Sequence, residues 1–143
     1  MRYCKQRDKY SCGAIALLNV DKFFGRWVTY QDLPKYQELV DCRRDEGTKI
    51  VRISKVIGRA SRRAWESSRQ FLRDGNCIMI LCDEGAEAHY FVMIEEAGVI
   101  VVVNRFNHGV GTPSTCKISP QYATRMLRSA LRTWYVDKET GLL

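Results

Sequence analysis

Long apolar runs are missing from this chain. The longest stretches, such as Ile78 to Cys82 and Gly98 to Val103, fall far short of the roughly 20 residues that cross a bilayer, so no membrane span is expected. Equally absent is a signal-peptide pattern: Met1-Arg2-Tyr3-Cys4-Lys5 runs straight into polar residues. The chain as given therefore reads as cytoplasmic. There is no Cys-x-x-Cys pair among the six cysteines, which argues against a zinc site; in a cytoplasmic setting the thiols stay reduced, and no metal or cofactor is expected. Low-complexity tracts and internal repeats are lacking too, and 143 residues suit one domain spanning 1–143. Histidine is scarce: His89 and His108 are the only two imidazoles.

Charge is present but segregated. Ten Lys or Arg residues lie between Arg43 and Arg73, whereas Asp74 to Glu96 carries six acids and no Lys or Arg. The basic segment lacks interleaved aromatics, so it reads as a solvated helix face and not as a nucleic-acid surface. The acidic residues Asp83, Glu84 and Glu87 precede His89 and would favour a basic substrate segment if they border a cleft.

Hydrophobic periodicity divides the chain in two. Ala14 to Val20 continues through Phe23-Phe24 to Gly25 and covers nearly a whole helical circumference, which implies a helix buried on all sides with Cys12 at its N-terminus. A second helix starts near Asp32 to Pro34, and a third is capped by Thr48 and carries Ile50, Ile53 and Ile57 up to Gly58. A fourth is capped by Ser61 and carries Trp65, Phe71 and Leu72. From Cys77 the runs become short and β-rich: Cys77 to Cys82, Tyr90 to Ile94 and Val99 to Val103, the last two joined by a hairpin turn. Ser119-Pro120 opens a last helix that ends near Arg132. Helices first and sheet second give an α+β class, with N-terminal helices packed on a C-terminal antiparallel sheet.

Within this frame the residues that carry chemistry converge on acyl transfer. A cysteine at a helix N-terminus is expected to have a lowered pKa, because unpaired N–H groups and the helix dipole favour the thiolate. Gly13 leaves room for a substrate carbonyl to approach the backbone N–H of Cys12, and the amide of Gln6 can act as a second oxyanion donor. The base must be a histidine; His89, opening a strand, is placed more rigidly than His108 in its Gly-rich loop. Asn104, closing the strand that pairs with the His89 strand, can orient the imidazole, with Asn107 as the fallback.

Gln6-x-Asp8-x-x-Ser11-Cys12-Gly13-Ala14, followed by an apolar helix ending in Phe23-Phe24-Gly25, resembles the active-site segment of the double-glycine peptidases that process bacteriocin leaders. The likeness continues through Gly47-Thr48, Leu72-x-x-Gly75, His89-Tyr90-Phe91-Val92 and Val101-Val102-Val103-Asn104. It implies a papain-like cysteine peptidase fold, a Cys12 nucleophile, a His89 base, Asn104 as third member and Gln6 in the oxyanion hole. The implied reaction is hydrolysis of a polypeptide after small residues such as Gly-Gly, through a thioester. Ser11 stands where the family usually has Asp, and Asn104-Arg105 where it usually has Asp-Pro. The same constellation also serves a protein deamidase or transamidase, and the fold without its chemistry would serve as a peptide- or partner-binding module. The oligomeric state is left open.

Overall fold

The computed structural model describes residues 3–8, 10–44, 46–85, 87–106 and 113–140. Asn107 and His108 lie outside them. Among the described residues, five α-helices and five strands follow in the order α1 (Cys12–Phe23), α2 (Leu33–Leu39), α3 (Ile50–Ile57), α4 (Trp65–Arg73), β1 (Cys77–Glu84), β2 (Glu87–Glu96), β3 (Val99–Val103), β4 (Thr115–Ile118), α5 (Pro120–Ser129) and β5 (Arg132–Val136). The strands form one antiparallel sheet in the order β4-β3-β2-β1-β5. Among the described residues no helix is long and apolar enough to cross a membrane.

Alternation along the strands sorts the core into two clusters. Tyr90, Val92 and Ile94 of β2 pack with α1, α2 and α3, while Phe91 and Met93 face Leu72 of α4 and Ala123, Met126 and Leu127 of α5. The sheet is thus a middle layer with helices on both faces. The α+β class with an antiparallel sheet is as expected, and α5 follows four strands and returns across the sheet before β5 completes it. Each fully buried side chain in these clusters, Phe91 or Ile80 for example, stabilises the fold by about 1.5–3 kcal/mol.

Helix α1 is buried at every residue from Cys12 to Asp21, as its all-round apolar pattern requires. Its start is secured from upstream. Asp8 Oδ1 accepts hydrogen bonds from the backbone N–H groups of Tyr10 (3.1 Å) and Ser11 (2.7 Å), and Asp8 Oδ2 accepts one from Ser11 Oγ (3.0 Å). These bonds satisfy donors that the first turn leaves over.

Two helix starts differ from expectation. Thr48 does not cap α3; Lys49 takes that position without a side-chain cap, because Thr48 packs against α1. Nor does Ser61 cap α4, which begins after Ala64. Ser61 instead lies along the outer edge of β5, its N–H donating to the Thr133 carbonyl at 2.9 Å while Thr133 Oγ1 donates to the Ser61 carbonyl. That pairing covers an edge strand that would otherwise present open hydrogen-bonding groups. Gly58 does end α3, at φ 95°, and Ser119 does cap α5, accepting from the Tyr122 N–H at 3.1 Å. The β2–β3 hairpin turns through Ala97 and Gly98, with φ 51° and 80°, the two positive values that a tight primed turn demands.

Candidate active site

Cys12 and His89 are both buried, with 5% and 8% of their surface exposed. Cys12 stands at the N-terminus of α1, which packs across β2, and the backbone N–H groups of Tyr90, Gly13 and Cys12 itself face the sulfur. They favour the thiolate. Burial outweighs them, however, and the thiol's pKa is raised, with the neighbouring Cys42 adding to the rise. The expectation that the helix terminus would lower it is therefore corrected: the field of a few N–H groups does not offset the loss of water around a buried sulfur.

His89 opens the buried part of β2, paired across to Cys82 of β1. Its ring stacks on Phe91, two residues along the same face, at 6.1 Å between centroids. Its Nε2 lies 2.6 Å from the main-chain carbonyl of Asn104. A carbonyl can only accept, so Nε2 carries the hydrogen, and in the neutral ring the basic lone pair is on Nδ1. Among the described residues no hydrogen bond joins this ring to the Cys12 thiol. The two are linked through Tyr90, whose N–H faces the sulfur and whose peptide nitrogen is bonded to His89.

Asn104 is brought beside His89, but not in the way the hairpin suggested. The β2–β3 ladder pairs Val92 with Val103 and stops there, and Asn104 turns out of it at φ 61°, a left-handed conformation that asparagine tolerates. The turn aims its carbonyl, not its side chain, at the imidazole. The carboxamide faces the opposite way and clips the N-terminal segment: Oδ1 accepts from the Gln6 N–H at 3.1 Å and Nδ2 donates to the Cys4 carbonyl at 2.8 Å. Asn19 of α1 completes the clip, accepting from the Cys4 N–H and donating to the Cys4 carbonyl, both at 2.9 Å. One residue thus ties the Gln6 main chain to the His89 ring.

Gln6 is half-buried, and its side-chain amide donates to the Asp8 carbonyl at 2.6 Å. Gly13 has a different reason for lacking a side chain than the one read from the sequence. A Cβ there would lie 2.9 Å from Thr48 Cβ and 3.0 Å from Thr48 Oγ1, so Thr48 fills the space on the side where a side chain would stand. The Thr48 carbonyl in turn accepts from the Tyr90 hydroxyl at 3.0 Å, and Tyr90's pKa is raised by burial and by the nearby Cys12. Cys42 joins the same neighbourhood, its thiol 3.1 Å from the Tyr10 carbonyl.

Sequence reading missed Tyr90, Thr48 and Asp8 as parts of the site. Tyr90 acts through its amide and Thr48 through its shape; both stand in segments that carry the resemblance, but those segments do not announce these roles. Asp8 left one, an acid three residues before Ser11. Among the described residues no group of three or more His, Cys, Asp or Glu side chains could hold a metal ion.

The architecture, an antiparallel sheet between helices, is a fold that this chain shares with a solved peptidase domain. The particular likeness is to the crystal structure of the peptidase domain of Streptococcus ComA, described as a bi-functional ABC transporter involved in a quorum sensing pathway. The two superpose with a TM-score of 0.60 at 14% identity, over 94% of this chain and 97% of that one. No family model matches the sequence, and no curated protein does either. At this identity what is shared is the fold.

Proposed function

We propose that the protein is a cysteine peptidase that cleaves a polypeptide after small residues, Gly-Gly among them, with Cys12 as nucleophile and His89 as base. The observation that carries this reading is the 2.6 Å hydrogen bond from His89 Nε2 to the Asn104 carbonyl, which leaves Nδ1 as the basic nitrogen next to the strand position that faces the buried thiol. A thiol whose pKa is raised is protonated at neutral pH and needs such a base.

In this reading Nδ1 takes the Cys12 proton as the sulfur attacks the scissile carbonyl, and the Asn104 carbonyl stabilises the imidazolium through the Nε2–H that it already accepts. The tetrahedral oxyanion is met by the backbone N–H of Cys12 and by the Gln6 amide. The imidazolium then protonates the leaving amine, and a thioester on Cys12 is left for water. Alternation along β2 puts the His89 ring on the Phe91 face and Tyr90 on the face toward α1, so this transfer requires the ring to turn toward Cys12 when substrate binds.

The test is to incubate the purified protein with polypeptides containing Gly-Gly and other small-residue pairs, and to identify products by mass spectrometry. New termini, absent with Cys12→Ala and with His89→Ala, are expected. Hydrolysis that survives Cys12→Ala would overturn the assignment, and mass shifts on glutamine without cleavage would assign the thioester chemistry to deamidation or transfer.

A further inference from the structure

A cavity of about 450 Å³ lies on the face of the sheet opposite α1, between the 62–66 segment, α5 and β5. Its volume is within the range of small-molecule sites. Three arginines, Arg62, Arg63 and Arg128, line it against one acid, Glu66, a formal charge of +2. Trp65 and Leu127 supply apolar wall.

Each guanidinium is placed differently. Arg62 is fixed: Nη1 donates to the Leu127 carbonyl at 3.1 Å and Nη2 to the Ala130 carbonyl, closing the C-terminal end of α5 and holding its charge at the cavity wall. Arg63 is stacked, with its central carbon 4.4 Å from the Tyr135 ring centroid and 4.8 Å from that of Phe71. Stacking engages the faces of the guanidinium and leaves its in-plane N–H donors to grip an oxyanion. Arg128, on the last turn of α5, is exposed and can close over a ligand from the opposite side.

We propose that this cavity binds a small organic phosphate monoester, with the phosphate held by Arg63 and Arg128 in the field of Arg62 and the organic body against Trp65 and Leu127. A phosphate dianion matches the +2 lining in charge. Its three terminal oxygens take donors from more than one direction, whereas a carboxylate is satisfied by a single guanidinium fork. Arg63 lies over the Tyr135 ring, the aromatic side chain that lines the cavity beside Trp65, so the anionic group and not a base stacked on Tyr135 makes the main contact there. This site shares no lining residue with Cys12, His89 or Asn104, and it stands whether or not the proposed peptidase activity does.

Calorimetric titration of the full chain with phenyl phosphate tests it, with inorganic phosphate, benzoate and a glutamate-rich peptide as parallel arms. Phenyl phosphate is expected to bind more tightly than inorganic phosphate or benzoate. Arg128→Gln is expected to weaken it about tenfold, in line with the loss of a charge-assisted hydrogen bond, while leaving the melting temperature and the alkylation of Cys12 unchanged. Arg63→Gln reports on the second arginine of the grip, with its melting curve as the control for folding. The proposal is overturned if phenyl phosphate gives no binding heat, if inorganic phosphate or benzoate binds as tightly, or if Arg128→Gln and folded Arg63→Gln bind like the parent. Tighter binding of the glutamate-rich peptide would overturn it in favour of an acidic polypeptide.

Discussion

His89 is oriented by the main chain of Asn104 and not by its side chain: the Nε2–H donates to the Asn104 carbonyl at 2.6 Å, while the Asn104 carboxamide holds Cys4 and Gln6. The two duties can be separated by substitution. Asn104→Gly keeps the left-handed backbone and hence the carbonyl, but loses the clip. Asn104→Ala loses the clip and also strains the φ 61° backbone. Loss of the two side-chain bonds should cost about 1–3 kcal/mol in either variant, and Ala about 1–2 kcal/mol more. Chemical denaturation measures the cost. Nitrogen NMR of His89 in Asn104→Gly should still report the Nε2–H tautomer; a switch to Nδ1–H would contradict main-chain orientation.

The raised pKa of Cys12 gives a pH dependence of definite sign. Folding holds the proton on this thiol more tightly than the unfolded chain does. The contribution is complete below the unfolded thiol pKa of about 8.5 and is lost as pH rises from there through the folded value. Iodoacetamide labelling of Cys12 in the free protein should therefore keep accelerating above pH 8.5. The melting temperature should fall over the same alkaline range, less steeply in Cys12→Ala. Labelling that levels off below pH 7 would mean that a thiolate–imidazolium pair already exists at rest.

Gly13→Ala places a methyl group 2.9 Å from Thr48 Cβ, inside any normal contact. A destabilisation of about 1–3 kcal/mol is expected from overpacking. Thr48→Gly removes the offending atoms, so the double variant should recover part of the loss; strict additivity in a double-mutant cycle would show that the two positions do not touch.

Asp8→Ala removes three acceptor contacts at the start of α1. A loss of about 1–2 kcal/mol is expected by analogy with other helix caps, together with a changed rate of Cys12 alkylation, because the thiol sits on the turn that Asp8 secures. An unchanged rate in a destabilised protein would confine Asp8 to a structural role.

Much of the fold was legible because α1 is one long apolar run that stops at Gly25, while β1 to β3 are short runs rich in β-formers between turn residues. The last two strands were not. β4 is four residues of mixed polarity, and β5, Arg132-Thr133-Trp134-Tyr135-Val136, follows α5 so closely that the helical reading ran up to Arg132. Its Trp134 and Val136 pack toward α1, while Thr133 is buried and Tyr135 half-buried on the other side, so the strand is covered on both faces and shows no simple apolar–polar alternation. At the candidate site, Cys12, His89 and Asn104 could be picked out as candidates from residue type and position. The direction in which Asn104 points could not, since it depends on a positive φ that sequence permits but does not announce. Burial decided the Cys12 pKa against the helix terminus in the same way, as a property of packing around the residue and not of the residue's place on its helix.

The enclosure of α1 on all sides governs how the protein can move. Amide hydrogens from Ile15 to Val20 have no local route to solvent, and their exchange should track unfolding of the whole domain. Cys12 is attached to the least yielding part of the molecule. Access to it must come from displacement of what surrounds it, the Thr48, Tyr90 and Cys42 neighbourhood, while the helix stays in place.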